Sequence, residues 1–131
     1  SVTSTATSTT AGTPSTPTLT ASTTTQIDVS WSPNNGSGTV FELFNTTLNS
    51  SVVTTTETSY SVTGLATNTA YAFKVRALTT STASTWGDWS STSSNKYTLA
   101  QTPGTLTISN PTSSTITIGI DSVSNPSSNS N

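Results

Sequence analysis

The 131-residue chain carries three basic and five acidic side chains, a formal net charge of −2, and no Cys, Met or His. With no basic field to hold a phosphate backbone, nucleic acid is not expected as a partner. With no thiol or imidazole, disulfides, soft-metal sites and His-based catalysis are excluded, and no metal or cofactor is expected.

A chain of this length holds one domain of ordinary size with roughly thirty residues over. Ser and Thr supply nearly half of it. Such a composition, poor in charge and rich in β-branched Thr, suits strands and O-glycosylated surfaces, so the expected location is extracellular or the cell surface. The chain begins at Ser1 with no basic and apolar leader, and no apolar run is long enough to span a bilayer. It reads as a mature or internal segment without membrane insertion.

Residues 1–13 form a Ser/Thr tract whose apolar members are Val2, Ala6 and Ala11, read as a linker or extended arm. From Pro14 onward, short alternating runs are separated by turn clusters, the pattern of an all-β sandwich. Leu19 and Ala21 mark a first strand, and Ile27, Val29 and Trp31 alternate with polar residues in a second. Residues 33–38 are a turn. Phe41 and Leu43 carry a third strand, Val52 and Val53 a short fourth, and Tyr60 and Val62 a fifth that Gly64 ends. Ala70 to Leu78 is the strongest strand, with Tyr71, Phe73, Val75 and Ala77 on one face and Ala72, Lys74, Arg76 and Leu78 on the other. Lys96 to Leu99 is expected to be the seventh.

The run from Tyr60 to Ala77, YSVTGLATNTAYAFKVRA, resembles the signature of fibronectin type III domains over roughly residues 14–101. The resemblance implies an immunoglobulin-like, seven-stranded β-sandwich in which strands A, B and E face C, C′, F and G. It also implies that Leu65 packs under the E–F turn, that the Tyr71 hydroxyl anchors that turn, and that Trp31 is the core tryptophan of strand B.

The tail starts the pattern again. Ile116, Ile118 and Ile120 stand where Ile27, Val29 and Trp31 stood, 89 positions on, and Leu19 matches Leu106 after a two-residue slip. Residues 102–131 therefore read as strands A and B of a partial second repeat followed by its B–C loop. Leu106, Ile108, Ile116, Ile118 and Ile120 would form one apolar face, a candidate assembly segment that a neighbouring repeat or subunit could cover, for instance by adding the Ser1–Thr10 arm as an edge strand.

Asp28, Glu42, Glu57, Asp88 and Asp121 fall on separate strands or loops with no pairing that suggests a hydrolase couple, and the amines are Lys74 and Lys96. No enzyme is expected. The segment Trp86-Gly87-Asp88-Trp89-Ser90 is similar to the W-S-x-W-S box of class I cytokine receptors, with Gly87 replacing the first Ser. That likeness implies tryptophans stacked on basic side chains of strand F, here Lys74 and Arg76, with Glu42 as a counter-charge. The other reading makes Trp86, Trp89 and Phe44 an outward platform for a sugar ring or a neighbouring module. Asn35, Asn45 and Asn49 fit the N-glycosylation pattern.

Three function classes follow: a structural module of a surface fibre, filament or adhesin; a spacer or accessory module of a secreted carbohydrate-active enzyme; and a ligand-binding receptor ectodomain fragment. The expected partners are the protein itself or neighbouring repeats, with carbohydrate as the alternative.

Overall fold

The computed structural model describes residues 10–36, 39–78 and 85–121. Residues 1–9 of the expected arm, the end of the expected 33–38 turn and the expected loop after Asp121 lie outside the described residues. The strands are β1 (Thr18–Ala21), β2 (Ile27–Ser30), β3 (Val40–Asn45), β4 (Ser50–Thr55), β5 (Ser59–Val62), β6 (Ala70–Tyr71), β7 (Phe73–Leu78), β8 (Lys96–Tyr97), β9 (Leu106–Ser109) and β10 (Thr117–Ile120). Among the described residues there is no helix.

Two antiparallel sheets form a sandwich. One has the order β1-β2-β5 and the other β4-β3-β7, and β6, just before β7 in the chain, pairs with β8 in a separate two-stranded ladder. Alternation decides the faces: Ile27 and Val29 from β2, Phe41 and Leu43 from β3, and Phe73, Val75 and Ala77 from β7 are buried in one cluster with Trp31, Val62, Leu65 and Tyr71. Trp31 and Phe41 meet edge to face with ring centroids 5.9 Å apart. Such pairs add roughly 0.5–1.5 kcal/mol beyond their burial.

Two local departures from the alternating pattern have visible causes. The adjacent Val52 and Val53 both pack against the core, which a flat strand forbids. A bulge resolves this: Leu43 pairs with Val53 but Phe44 pairs with Ser51, so Val52 is the extra residue. The second departure is at Ala72, which interrupts the single strand expected over Ala70–Leu78. Its carbonyl accepts from the Thr46 N–H and its N–H donates to Thr47 Oγ1, so the β3–β4 turn takes both groups and the chain passes from one partner strand to another. Ala72 is buried, unlike Lys74 and Arg76, with which the alternation groups it.

The corner between the sheets is built as the signature implies. The Tyr71 hydroxyl accepts from the Ala66 N–H at 3.0 Å, and Leu65 beside it is buried. Gly64 takes φ +72°, a left-handed value that lets the chain turn straight after β5 at no side-chain cost. The expected seventh strand shortens to β8: the Thr98 N–H still donates to Thr69 O, but the return bond from the Thr69 N–H goes to the side chain rather than to the carbonyl of Thr98. The buried Thr98 hydroxyl that accepts it donates to Ala66 O.

Candidate functional site

Two places outside the core carry chemistry: the outward face of β3 and β7, and the hairpin β9–β10.

On β7, Lys74 and Arg76 point outward because Phe73, Val75 and Ala77 take the core face. Their cross-strand partners on β3 are Phe44 and Glu42. The free edge of β7 is then covered by the segment from Trp86 to Ser93, which is not a strand. Gly87 N–H donates to Ala77 O at 2.8 Å, Ser90 N–H to Val75 O at 2.8 Å and Ser93 N–H to Phe73 O at 2.9 Å. Every third residue of the segment therefore meets every second residue of β7. Two strand residues span roughly 6.6 Å, so the segment advances only about 2.2 Å per residue, wound well short of an extended chain. Ser90 Oγ and Ser93 Oγ accept from the N–H groups of Val75 and Phe73, standing in for the carbonyls that the winding turns away. Both serines are buried.

The three-residue repeat also places the tryptophans. Trp86 and Trp89 recur on one side at the spacing at which Arg76 and Lys74 recur on the strand. The Arg76 guanidinium lies 4.7 Å from the Trp86 ring and 4.3 Å from the Trp89 ring, and Lys74 Nζ lies 4.5 Å from Trp89 and 5.1 Å from Phe44. Phe44 meets Trp89 edge to face at 5.5 Å. The result is one stack in the order Trp86, Arg76, Trp89, Lys74, Phe44. Arg76 Nε donates to Glu42 Oε2 at 2.7 Å, which neutralises the cation between the two indoles. Each exposed cation–π contact is worth about 0.5–1 kcal/mol.

Trp86, Trp89 and Phe44 are half-buried rather than free, and a sugar ring would have to share indoles that already bear cations. The departure Gly87 has a cause of its own. A Cβ there would sit 2.9 Å from Ala11 O and 3.3 Å from Ala77 O, so the N-terminal segment excludes a serine.

Residues 11–13, expected as part of the arm, are tied to the sandwich. Gly12 pairs with the Asn35 side chain, Asn34 Nδ2 donates to Thr13 O, and Ala11 packs on the core.

Of the glycosylation candidates, Asn45 is corrected. It is 1% exposed, and its Oδ1 accepts from the N–H groups of Thr47 and Leu48, so it closes the β3–β4 turn and leaves no room for a glycan. The Asn35 amide is engaged, and Ser37 of its motif lies outside the described residues. Asn49 is exposed at the end of the turn with φ 53°.

The acidic residues do not converge: among the described residues no three could hold a metal ion together. Asp28, on the outward face of β2, is held below the usual carboxylate range by hydrogen bonds from Ser22 first, then Ser61 and Gln26.

The hairpin pairs Ile118 with Ile108 and Ile120 with Leu106. In β1–β2 the corresponding pair is Val29 with Leu19. Ile118 lies 89 residues beyond Val29 and Ile108 lies 89 residues beyond Leu19, so the counterpart of Leu19 is Ile108. The two-residue slip to Leu106 is not needed. The five aliphatic side chains are 55–65% exposed. In the turn, the N–H groups of Ser114 and Thr115 both donate to Thr112 Oγ1.

A model of the fibronectin type III domain matches residues 12–93, more than half of the chain. The chain belongs to the fibronectin type III family. Fibronectin type III domains are in general non-catalytic modules, found in extracellular and adhesion proteins and in intracellular ones. Among curated protein sequences none matches. Solved structures do. The sixth fibronectin type III domain of human fibronectin type III domain containing protein 3 is 21% identical, with 82% of this chain and 97% of that one covered and a TM-score of 0.59. The central fibronectin III array of RIM-binding protein is 23% identical, with 82% and 41% covered and a TM-score of 0.52. The family 28 exopolygalacturonase of Yersinia enterocolitica is 13% identical, with 69% and 21% covered and a TM-score of 0.58. At these identities the likeness is one of fold. The chain spans less than half of the array and about a fifth of the exopolygalacturonase.

Proposed function

We propose that this fibronectin type III module is a non-catalytic structural unit of an extracellular fibre, filament or adhesin, whose partners are further copies of the same kind of module. The observation that carries the reading is the β9–β10 hairpin. It repeats the strand pairing of β1–β2 at the 89-residue separation and presents five aliphatic side chains at 55–65% exposure. In the first module the equivalent face lies against Phe41, Leu43, Phe73 and Val75. The second hairpin therefore calls for an opposing sheet of the same character, from further residues of its own repeat or from a neighbouring subunit. Covering each aliphatic side chain is worth on the order of 1–2 kcal/mol, enough in sum to favour association. A contact of this type between subunits is heterologous and propagates unless it closes a ring. The low charge and the Ser/Thr-rich surface support an extracellular location.

The test compares the full chain with one lacking residues 101–131, by light scattering and electron microscopy over a concentration series. The shorter chain should be a folded monomer and the full chain should associate. A full chain that stays monomeric, with β9 and β10 amides exchanging as in an open peptide, would sink the reading.

A further inference from the structure

We propose that Asn35 is a modification site. Its side-chain amide latches the N-terminal segment to the sandwich, and spontaneous conversion of that amide to a carboxylate at the Asn35-Gly36 step opens the latch.

The latch is a two-ended pairing. Asn35 Oδ1 accepts from the Gly12 N–H at 2.7 Å, while Nδ2 donates to Gly12 O at 2.8 Å and to Pro33 O at 2.6 Å. An amide can do this because it has a donor end and an acceptor end, and so it pairs with Gly12 as a neighbouring strand would. Gly12 fits because a Cβ would stand 2.8 Å from Asn34 O and 3.2 Å from Asn35 Oδ1. Next to it, Asn34 Nδ2 donates to Thr13 O, and Ser15 and Ser32 bond each other. On its other side Ala11 packs on the core and approaches Gly87. The latch thus holds residues 11–13 between the β2–β3 turn and Gly87 of the tryptophan segment.

The chemistry needs only water. The Gly36 nitrogen attacks Asn35 Cγ and a five-membered imide forms. The Cγ–Nδ2 bond breaks, and Nδ2 departs as ammonia with the proton lost from Gly36. Water then adds to either imide carbonyl, leaving aspartate or isoaspartate. A following residue without a Cβ leaves that nitrogen open to the attack, and Asn35 is the one asparagine in the sequence followed by Gly. Among the described residues other than its chain neighbours, nothing lies within 4 Å of the position a Gly36 Cβ would take. A carboxylate only accepts hydrogen bonds. Its second oxygen would face Gly12 O and Pro33 O with no hydrogen between, so the two donated bonds become repulsive contacts.

The experiment follows hydrogen exchange of the Gly12 amide in the full chain, fresh and after incubation at mildly alkaline pH, with peptide mapping of position 35. Asn35→Asp should raise exchange at Gly12 by about tenfold or more, the worth of one to two lost hydrogen bonds. The Ala66 amide, held by Tyr71, should stay protected. Aged wild-type protein should acquire aspartate and isoaspartate at position 35 with the same rise. Gly36→Ala, for which there is space, should keep both the amide and the protection. Wild-type protection of Gly12 in Asn35→Asp, an equal rise in Asn49→Asp, loss of protection at Ala66 together with Gly12, or an aged protein that keeps its amide would each overturn the proposal.

Discussion

The two hairpins β1–β2 and β9–β10 have the same pairing, the same register and nearly the same side-chain types, yet their fates differ. Ile27 and Val29 are 0% and 1% exposed, whereas their counterparts Ile116 and Ile118 are 60% and 61% exposed. Strand pairing is therefore a local property, decided by alternation and by turns such as Thr112–Thr115. Burial is a property of the opposing sheet. The first hairpin has Phe41, Leu43, Phe73 and Val75 above it; among the described residues the second has no such cover.

The sharpest way to break this comparison is to truncate equivalent residues. Trp31→Ala should remove about 3–5 kcal/mol of stability by chemical denaturation, because it empties a buried site against Phe41. The equivalent change Ile120→Ala should stay within about 0.5 kcal/mol in the monomer, since that side chain is 65% exposed. Equal losses would mean that the second hairpin is covered after all.

Tyr71→Phe comes next. It removes the acceptor for the Ala66 N–H at the corner and should cost about 1–2 kcal/mol, with faster exchange at that amide. No corner supports the β9–β10 hairpin in the described residues, and its amides should not respond.

An effect of similar size is expected at the stack. Arg76→Met keeps much of the stem but loses the guanidinium between Trp86 and Trp89 and its bond to Glu42. About 1–2 kcal/mol should go, with a shift in tryptophan emission. An unchanged spectrum would show that the indoles do not depend on the cation.

The smallest effect concerns pH. The Asp28 carboxyl is lowered in the fold by Ser22, Ser61 and Gln26. Its contribution is therefore present above its unfolded value and is lost as the pH falls through the lower folded value. Asp28→Asn should flatten the acid limb of the stability curve slightly. Thr117, which follows Ile116 as Asp28 follows Ile27, carries no charge, so the second hairpin has no counterpart of this group.

Much of this was legible in the residues. Alternation and the 89-residue repeat located the strands, apart from the break at Ala72 and the shorter β8, and the run from Tyr60 to Ala77 identified the corner, because a two-residue period and a tyrosine hydroxyl one short loop from its partner are local facts. The basic side chains under the tryptophans were legible for the same reason, since Lys74 and Arg76 alternate with core residues. Ser90 and Ser93 were not. A three-residue period among serines is invisible where Ser and Thr fill nearly half of the chain, and only the facing N–H groups of Phe73 and Val75 single those hydroxyls out. Asn45 matched a glycosylation pattern as well as Asn49 did. What separates them is burial, which depends on how the β3–β4 turn closes over the side chain.

The sequence alone thus determined the fold family, the strands and the apolar faces, because those follow from side-chain periods of a few residues. The tertiary structure decided where the strand Ala70–Leu78 breaks, how Gly12 meets Asn35 and which apolar face is covered. Each of these depends on groups far apart in the chain reaching hydrogen-bonding or packing distance, and no local pattern encodes that distance.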